Sequence, residues 1–272
     1  MSQLELGPLR VLTTEAVRDA FRRRVVFAVV IVCILCLFMI DSCTSCNADI
    51  RLEGDIAKSL DVLGWGGMAV FCVLELWVIT LAGLLAADHL SQSLDDGSAQ
   101  LVLARPVSRE TFALSRLAGS LLVSLGAGVI LLGGATVLLA MRNGLALTPA
   151  LLASLACVLS SVAVASSAMT ASLYLPRVAT ILLVLVAVAL VSVLNLASVS
   201  GVELQGFARV IDRLGPPLAS SIALSLAPWS GQVAQNVGVL GVTLRLLAWA
   251  AGGVALLAFC FRRHAIVQRG SG

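Results

Sequence analysis

Six long apolar runs, at residues 25–40, 62–87, 117–140, 150–175, 178–198 and 240–261, constrain this chain more than any other feature. Each approaches the roughly 20 residues a helix needs to cross the hydrocarbon core of a bilayer. None shows the strict alternation of a barrel strand, and an unsatisfied backbone is too costly in lipid for anything but helices or closed barrels. Composition agrees. Of 272 residues, 59% are apolar and only 12% charged, where a soluble domain carries about a quarter charged residues. With a mean hydropathy of +1.03, a water-soluble globule and a disordered chain are both excluded. The first run has only 16 residues, but Ala20 and Phe21 extend it while Arg22, Arg23 and Arg24 snorkel to the headgroups. It is expected to be retained, because Asp41-Ser42-Cys43 follows where a cleavable signal would place small residues. The expected fold is an all-α integral membrane protein, residues 1–272 forming one transmembrane domain with six spans.

An even number of spans leaves both termini on one side. The termini, the loop after span 2 and the turn after span 4 carry Arg10, Arg18, Arg22, Arg23, Arg24, Arg105, Arg109, Arg116, Arg177, Arg262, Arg263 and Arg269. The opposite side carries Arg51, Lys58, Arg142, Arg209 and Arg213, and Arg245 falls within span 6. Twelve against five, out of 18 basic residues, predicts cytoplasmic termini by the positive-inside rule. The net charge of +3 is too small to point to nucleic acid as a partner.

Three regions are not spans. Residues 1–24 place Leu9, Leu12, Ala16, Ala20 and Phe21 at helical spacing, with Arg10, Arg18 and Arg22 elsewhere on the surface. Two readings fit equally: an amphipathic helix on the cytoplasmic interface, or a plain basic flank of span 1. The outer segment, 199–239, is apolar but broken by Gly201, Gly206, Gly215, Pro216, Pro217 and Pro228, which predicts short re-entrant or interfacial helices.

The third region, the cytoplasmic loop of residues 88–116, is the largest polar insertion on that side. Leu90 and Leu94 share one face of a short helix whose polar side carries Gln92, Asp95 and Asp96, and Gly97 is a natural stop. Leu101 to Leu103 return to the membrane surface and Pro106 breaks the chain. Ser108 is placed to cap the helix entering span 3, with Glu110 in its first turn. The pattern predicts an elbow with an exposed polar knob.

In this loop Asp95-Asp96-Gly97-Ser98, Leu101-Val102-Leu103 and Arg105-Pro106-Val107-Ser108-Arg109 resemble the permease subunits of type-2 ABC exporters. They are closest to the six-span group of nitrous-oxide-reductase maturation and gliding-motility permeases. That group has an acidic stretch, Gly-Thr, a Leu-rich run, then Arg or Lys-Pro-Val or Ile-Ser-Arg. Ser98 replaces the usual Thr, and Asp88-His89 a more acidic pair. The resemblance extends more loosely to the basic N-terminal segment, the six spans and the broken outer segment. It implies a subunit of the bacterial cytoplasmic (inner) membrane that pairs with a second permease, identical or not. An ABC ATPase subunit would dock through the N-terminal helix and the coupling-loop residues Asp95, Asp96, Gly97, Arg105, Pro106, Val107, Ser108 and Arg109. ATP and Mg would then be cofactors of that partner. The chain itself has no P-loop: its single lysine, Lys58, lacks the preceding glycines. No cofactor, metal or catalytic residue is expected in this chain.

Other candidates are weighed on their chemistry. Glu75 lies near the centre of span 2, where a carboxylate is costly unless protonated or paired. Arg245 is a candidate partner, at a depth differing by roughly 8 Å, and static packing is favoured over a proton relay because no third span carries a charge. Of the seven cysteines, Cys33 and Cys36 fall within span 1 as small apolar residues. Cys43 and Cys46 fall just outside the membrane in an oxidising space that admits a local disulfide, and they define an enzyme-class alternative, a membrane thiol oxidoreductase. Cys72, Cys157 and Cys260 are solitary, which weighs against it. His89 and His264 are too isolated for a metal site. Ser120, Ser124 and Gly128 recur four apart, a spacing that allows close helix approach. Two further alternatives are a mechanotransmitter passing ATPase work to a periplasmic partner, and a passive membrane scaffold.

Overall fold

Uninterrupted runs of Leu, Val and Ala can satisfy their backbone amides within a single segment only as helices, and the computed structural model is helical throughout its regular elements. It describes residues 6–22, 31, 33–35, 38, 56–95, 97, 99, 102, 104, 108–143, 147–199, 204–223 and 239–263. In chain order these give α1 (Leu6–Arg22), α2 (Ile56–Asp95), α3 (Arg109–Asn143), α4 (Leu147–Ser172), α5 (Arg177–Val199), α6 (Phe207–Leu214) and α7 (Val239–Arg263). A short helical stretch at 218–223 follows α6.

Among the described residues, five segments are long and apolar enough to cross a membrane: Cys72–Leu94, Arg109–Val137, Leu155–Ser172, Arg177–Ser198 and Val239–Arg263. The chain is therefore an all-helical, multi-pass membrane protein. They correspond to spans 2 to 6 of the sequence reading. The first expected span, 25–40, lies mostly outside the described residues, but positions 31, 33–35 and 38 are helical. There Ile31, Ile34, Leu35 and Phe38 are exposed while Cys33 is buried.

One boundary differs from expectation. The short helix expected after span 2 is not a separate element, because α2 runs unbroken from Ile56 to Asp95. No breaker stands between Ala87 and Asp95, and Leu90 continues the stripe of Ala82 and Ala86, all three fully buried. The helix stops where the sequence predicts: Gly97 adopts φ +69° and its amide donates back to the Leu94 carbonyl at 3.4 Å, a conformation open to glycine without a Cβ penalty.

α2 is the central helix, packed against α3, α4 and α5. α4 also packs against α7, α3 holds α1, and α6 rests on α5. Two apolar cores follow the long axis. At the end bearing the 96–108 loop, Leu90, Ala99, Phe112, Met169, Leu173, Leu257 and Phe261 pack together. The other core joins Val78, Ile79, Leu131, Val184 and Val188 to Leu218 and Ile222. The last two show why the chain breaks after α6: Pro216 and Pro217 turn it, and residues 218–223 then dip into the bundle with Leu218, Ser221 and Ile222 buried. At the periphery, α5 turns Leu182, Val186, Val193 and Leu196 outward. In water this face would drive aggregation; in a bilayer it is the solvated face.

Candidate functional site

The loop end is built from the last turns of α2 and the first turns of α3. Ser108 starts α3: its Oγ accepts from the Thr111 amide at 3.1 Å, and its carbonyl accepts from the Phe112 amide at 3.1 Å. The cap satisfies backbone donors that would otherwise be orphaned at a helix start. Phe112 then enters the core against Phe261 of α7, ring centroids 5.9 Å apart. Ala99 and Val102, two apolar residues of the loop, turn inward to the same cluster. Ala104, Ser108 and Arg109 are exposed. An apolar root within the bundle thus carries a polar surface outside it.

Ion pairs brace this end. Asp88, near the end of α2, pairs with Arg177 at the start of α5. Glu110 faces Arg262 of α7 at 3.7 Å. Asp19 of α1 faces Arg116 of α3 at 3.5 Å, and the Arg116 guanidinium also lies 5.4 Å from the Phe112 ring centroid. Both flanks of the loop are thereby tied to a different span, one to α5 and the other to α7. Residues 6–22 form a helix that docks on α3, with Ala16 and Ala20 buried and Arg10 and Arg18 exposed. Of the expected coupling residues, Asp95 closes α2, Gly97 forms the stop, and Ser108 and Arg109 open α3. Asp96, Arg105, Pro106 and Val107 lie outside the described residues, as do Cys43 and Cys46.

The two intramembrane charges occupy separate settings. Glu75 is fully buried in α2. Arg245 does not engage Glu75. Its Nη2 donates to the carbonyl oxygens of Asp212 and Gly215, the latter at 2.6 Å. This corrects the pairing expected from depth alone, because short α6 brings bare C-terminal carbonyls to the first turns of α7, and a guanidinium satisfies them.

Around Arg245 lies a polar cluster that the sequence reading missed. Asn195 of α5 donates from Nδ2 to Asp212 Oδ1 at 2.8 Å, and its Oδ1 accepts from the Ser220 amide at 2.7 Å and hydroxyl at 2.9 Å. Trp249 Nε1 donates to the Leu214 carbonyl at 2.9 Å. Ser160 of α4 donates to Ser221 at 3.0 Å. Three spans therefore grip the segment 212–221. The available signal was Asn195 itself, the one amide in a run otherwise of apolar and small hydroxyl side chains, which must find partners when buried.

Among the described residues, no group of three or more His, Cys, Asp or Glu side chains could hold a metal ion, and Cys72, Cys157 and Cys260 are free thiols. The arrangement at the loop end offers docking and mechanical connection through exposed polar groups on an apolar root. No protein-family model matches the chain, and no curated protein matches it.

Proposed function

We propose that this chain is the membrane-spanning permease subunit of an ATP-driven ABC exporter of the bacterial inner membrane. A separate ATPase subunit docks on the 96–108 loop and α1, and ATP and Mg bind there rather than on this chain. A second permease subunit, identical or not, completes the path. In this reading the chain has six spans, the first at 25–40, with both termini and the loop cytoplasmic.

The observation that carries the reading is the rooting of the loop. Its flanks are ion-paired to α5 and α7, and Ala99 and Phe112 are sunk in the core with Phe261. A push on such a loop is a push on three spans, because a close-packed interior transmits displacement instead of absorbing it. Arg109 supplies exposed charge of the kind expected of a docking surface.

The test is affinity purification of the full chain from its native membrane, with identification of any co-purifying ATPase. The double charge reversal Arg105→Glu, Arg109→Glu should abolish ATPase recovery while the helical content of the chain is retained. Recovery unchanged by the reversal would reject the docking role. A passive scaffold predicts that outcome.

A further inference from the structure

We propose that α6 is a lipid anchor, seated in the leaflet opposite the loop end, that selects anionic phospholipid headgroups through Arg209 and Arg213. The inference does not depend on the transport reading; it needs only that the flanking helices cross a membrane.

The sequence Phe207-Ala208-Arg209-Val210-Ile211-Asp212-Arg213-Leu214 separates into three sides at ~100° per residue. Phe207, Val210 and Leu214 form one side and are 78%, 48% and 69% exposed. Arg209 and Arg213, spaced i and i+4, form a second exposed side. Asp212 points to a third, where Asn195 of α5 holds its carboxylate. No residue of α6 is buried against the rest of the chain. A helix this short does not persist alone in water, and its apolar side has no protein cover among the described residues.

Its depth is set by its clamps. Asn195 lies four residues inside the end of α5 and Arg245 six residues inside the start of α7, roughly 6 and 9 Å at 1.5 Å per residue. That is the depth, about 5–10 Å, at which an amphipathic helix sinks its apolar side below the headgroups. On the flanking α5 and α7, Val193, Leu196, Leu240 and Leu244 are likewise exposed, as side chains facing lipid are. Arg245 and Trp249 fix the C-terminal end against α7, so the helix is held in this pose.

Charge decides which lipid. Two like charges at i and i+4 destabilise a helix, and neither Arg209 nor Arg213 forms an ion pair among the described residues. An anionic headgroup layer turns this repulsion into attraction, and guanidinium groups bind phosphate by paired N–H donors.

The test places the full chain in lipid nanodiscs containing phosphatidylcholine and phosphatidylglycerol. Photoreactive versions of each lipid carry the same headgroup-proximal diazirine, and adducts are mapped by peptide mass spectrometry. Adducts on the peptide holding residues 207–213 should favour the phosphatidylglycerol probe by about thirtyfold, the combined effect of two basic residues near a charged surface. The preference should fall to near parity in Arg209→Gln, Arg213→Gln, persist in Arg209→Lys, Arg213→Lys, and be unaffected by the control Arg10→Gln. Equal labelling by both probes in the unaltered chain would overturn the headgroup selection. A preference retained in the double Gln variant would do the same, and absence of adducts on this peptide would overturn the anchor itself.

Discussion

Ala16 of α1 and Gly119 of α3 meet with no space for another methyl: a Cβ on Gly119 would stand 2.6 Å from that of Ala16. Only glycine at 119 lets the two backbones approach this closely. Gly119→Ala should loosen α1 from the bundle despite gaining helix propensity, because overpacking a tight contact costs about 1–3 kcal/mol against a propensity gain of about 1. Faster amide exchange over residues 6–22 is the readout. Ala16→Gly in the same background should slow it again.

A second close approach joins α4 and α7. A Cβ on Gly253 would overlap Ser166 Oγ and stand 3.2 Å from its Cβ. Gly253→Ala should lower the thermal midpoint of the detergent-solubilised chain, an effect of about 1–3 kcal/mol. Adding Ser166→Ala removes the overlapping oxygen and should recover most of the loss. A midpoint unchanged by Gly253→Ala alone would show that the helices sit farther apart.

Arg245 satisfies two carbonyls at the end of α6, and Asn195 satisfies Asp212 and Ser220. Leaving such groups unpaired costs about 1–3 kcal/mol each. Arg245→Met and Asn195→Leu should therefore each release the 207–223 segment, seen as accelerated proteolysis there. The remaining spans should stay protected. Because both residues grip the same segment, the double variant should cost less than the sum.

The ion pairs at the loop end are unequal. The Arg116 side chain is only 11% exposed and that of Arg262 is 76% exposed. An exposed pair is worth about 0–1 kcal/mol, so Arg262→Gln should change stability little and raised salt should mimic it. Arg116→Gln also loses its contact over Phe112 and should cost more, about 1–2 kcal/mol. Thermal melts at low and high salt distinguish the two.

Glu75 is fully buried in the central helix. Gln has nearly the same shape and retains hydrogen-bonding capacity, so Glu75→Gln should preserve assembly and partner recovery if the role is packing. Loss of transport by a normally assembled complex would assign the carboxyl a functional role instead.

Much of the fold was legible because lipid imposes a simple rule on sequence. Runs such as 178–198 must be helices, and Gly97 and Ser108 mark a helix end and a helix start through local backbone chemistry that needs no tertiary context. Partner choice was not legible. Glu75 and Arg245 share a compatible depth, yet depth along a helix says nothing of direction around it, and Arg245 turns to the carbonyls of Asp212 and Gly215.

The sequence by itself determined that the chain lies in a membrane, where its long helices run and where the charged loop falls. Only the tertiary structure decided that α2 is central, that the loop flanks are tied to α5 and α7, and that Asn195, Arg245 and Trp249 grip the segment after α6. The physical reason is the range of the forces involved. Backbone satisfaction and hydrophobic transfer act locally along the chain, whereas hydrogen bonds and ion pairs between spans depend on how helices rotate against one another. That rotation is set by small residues such as Gly119 and Gly253, whose importance appears only when their neighbours across the interface are known.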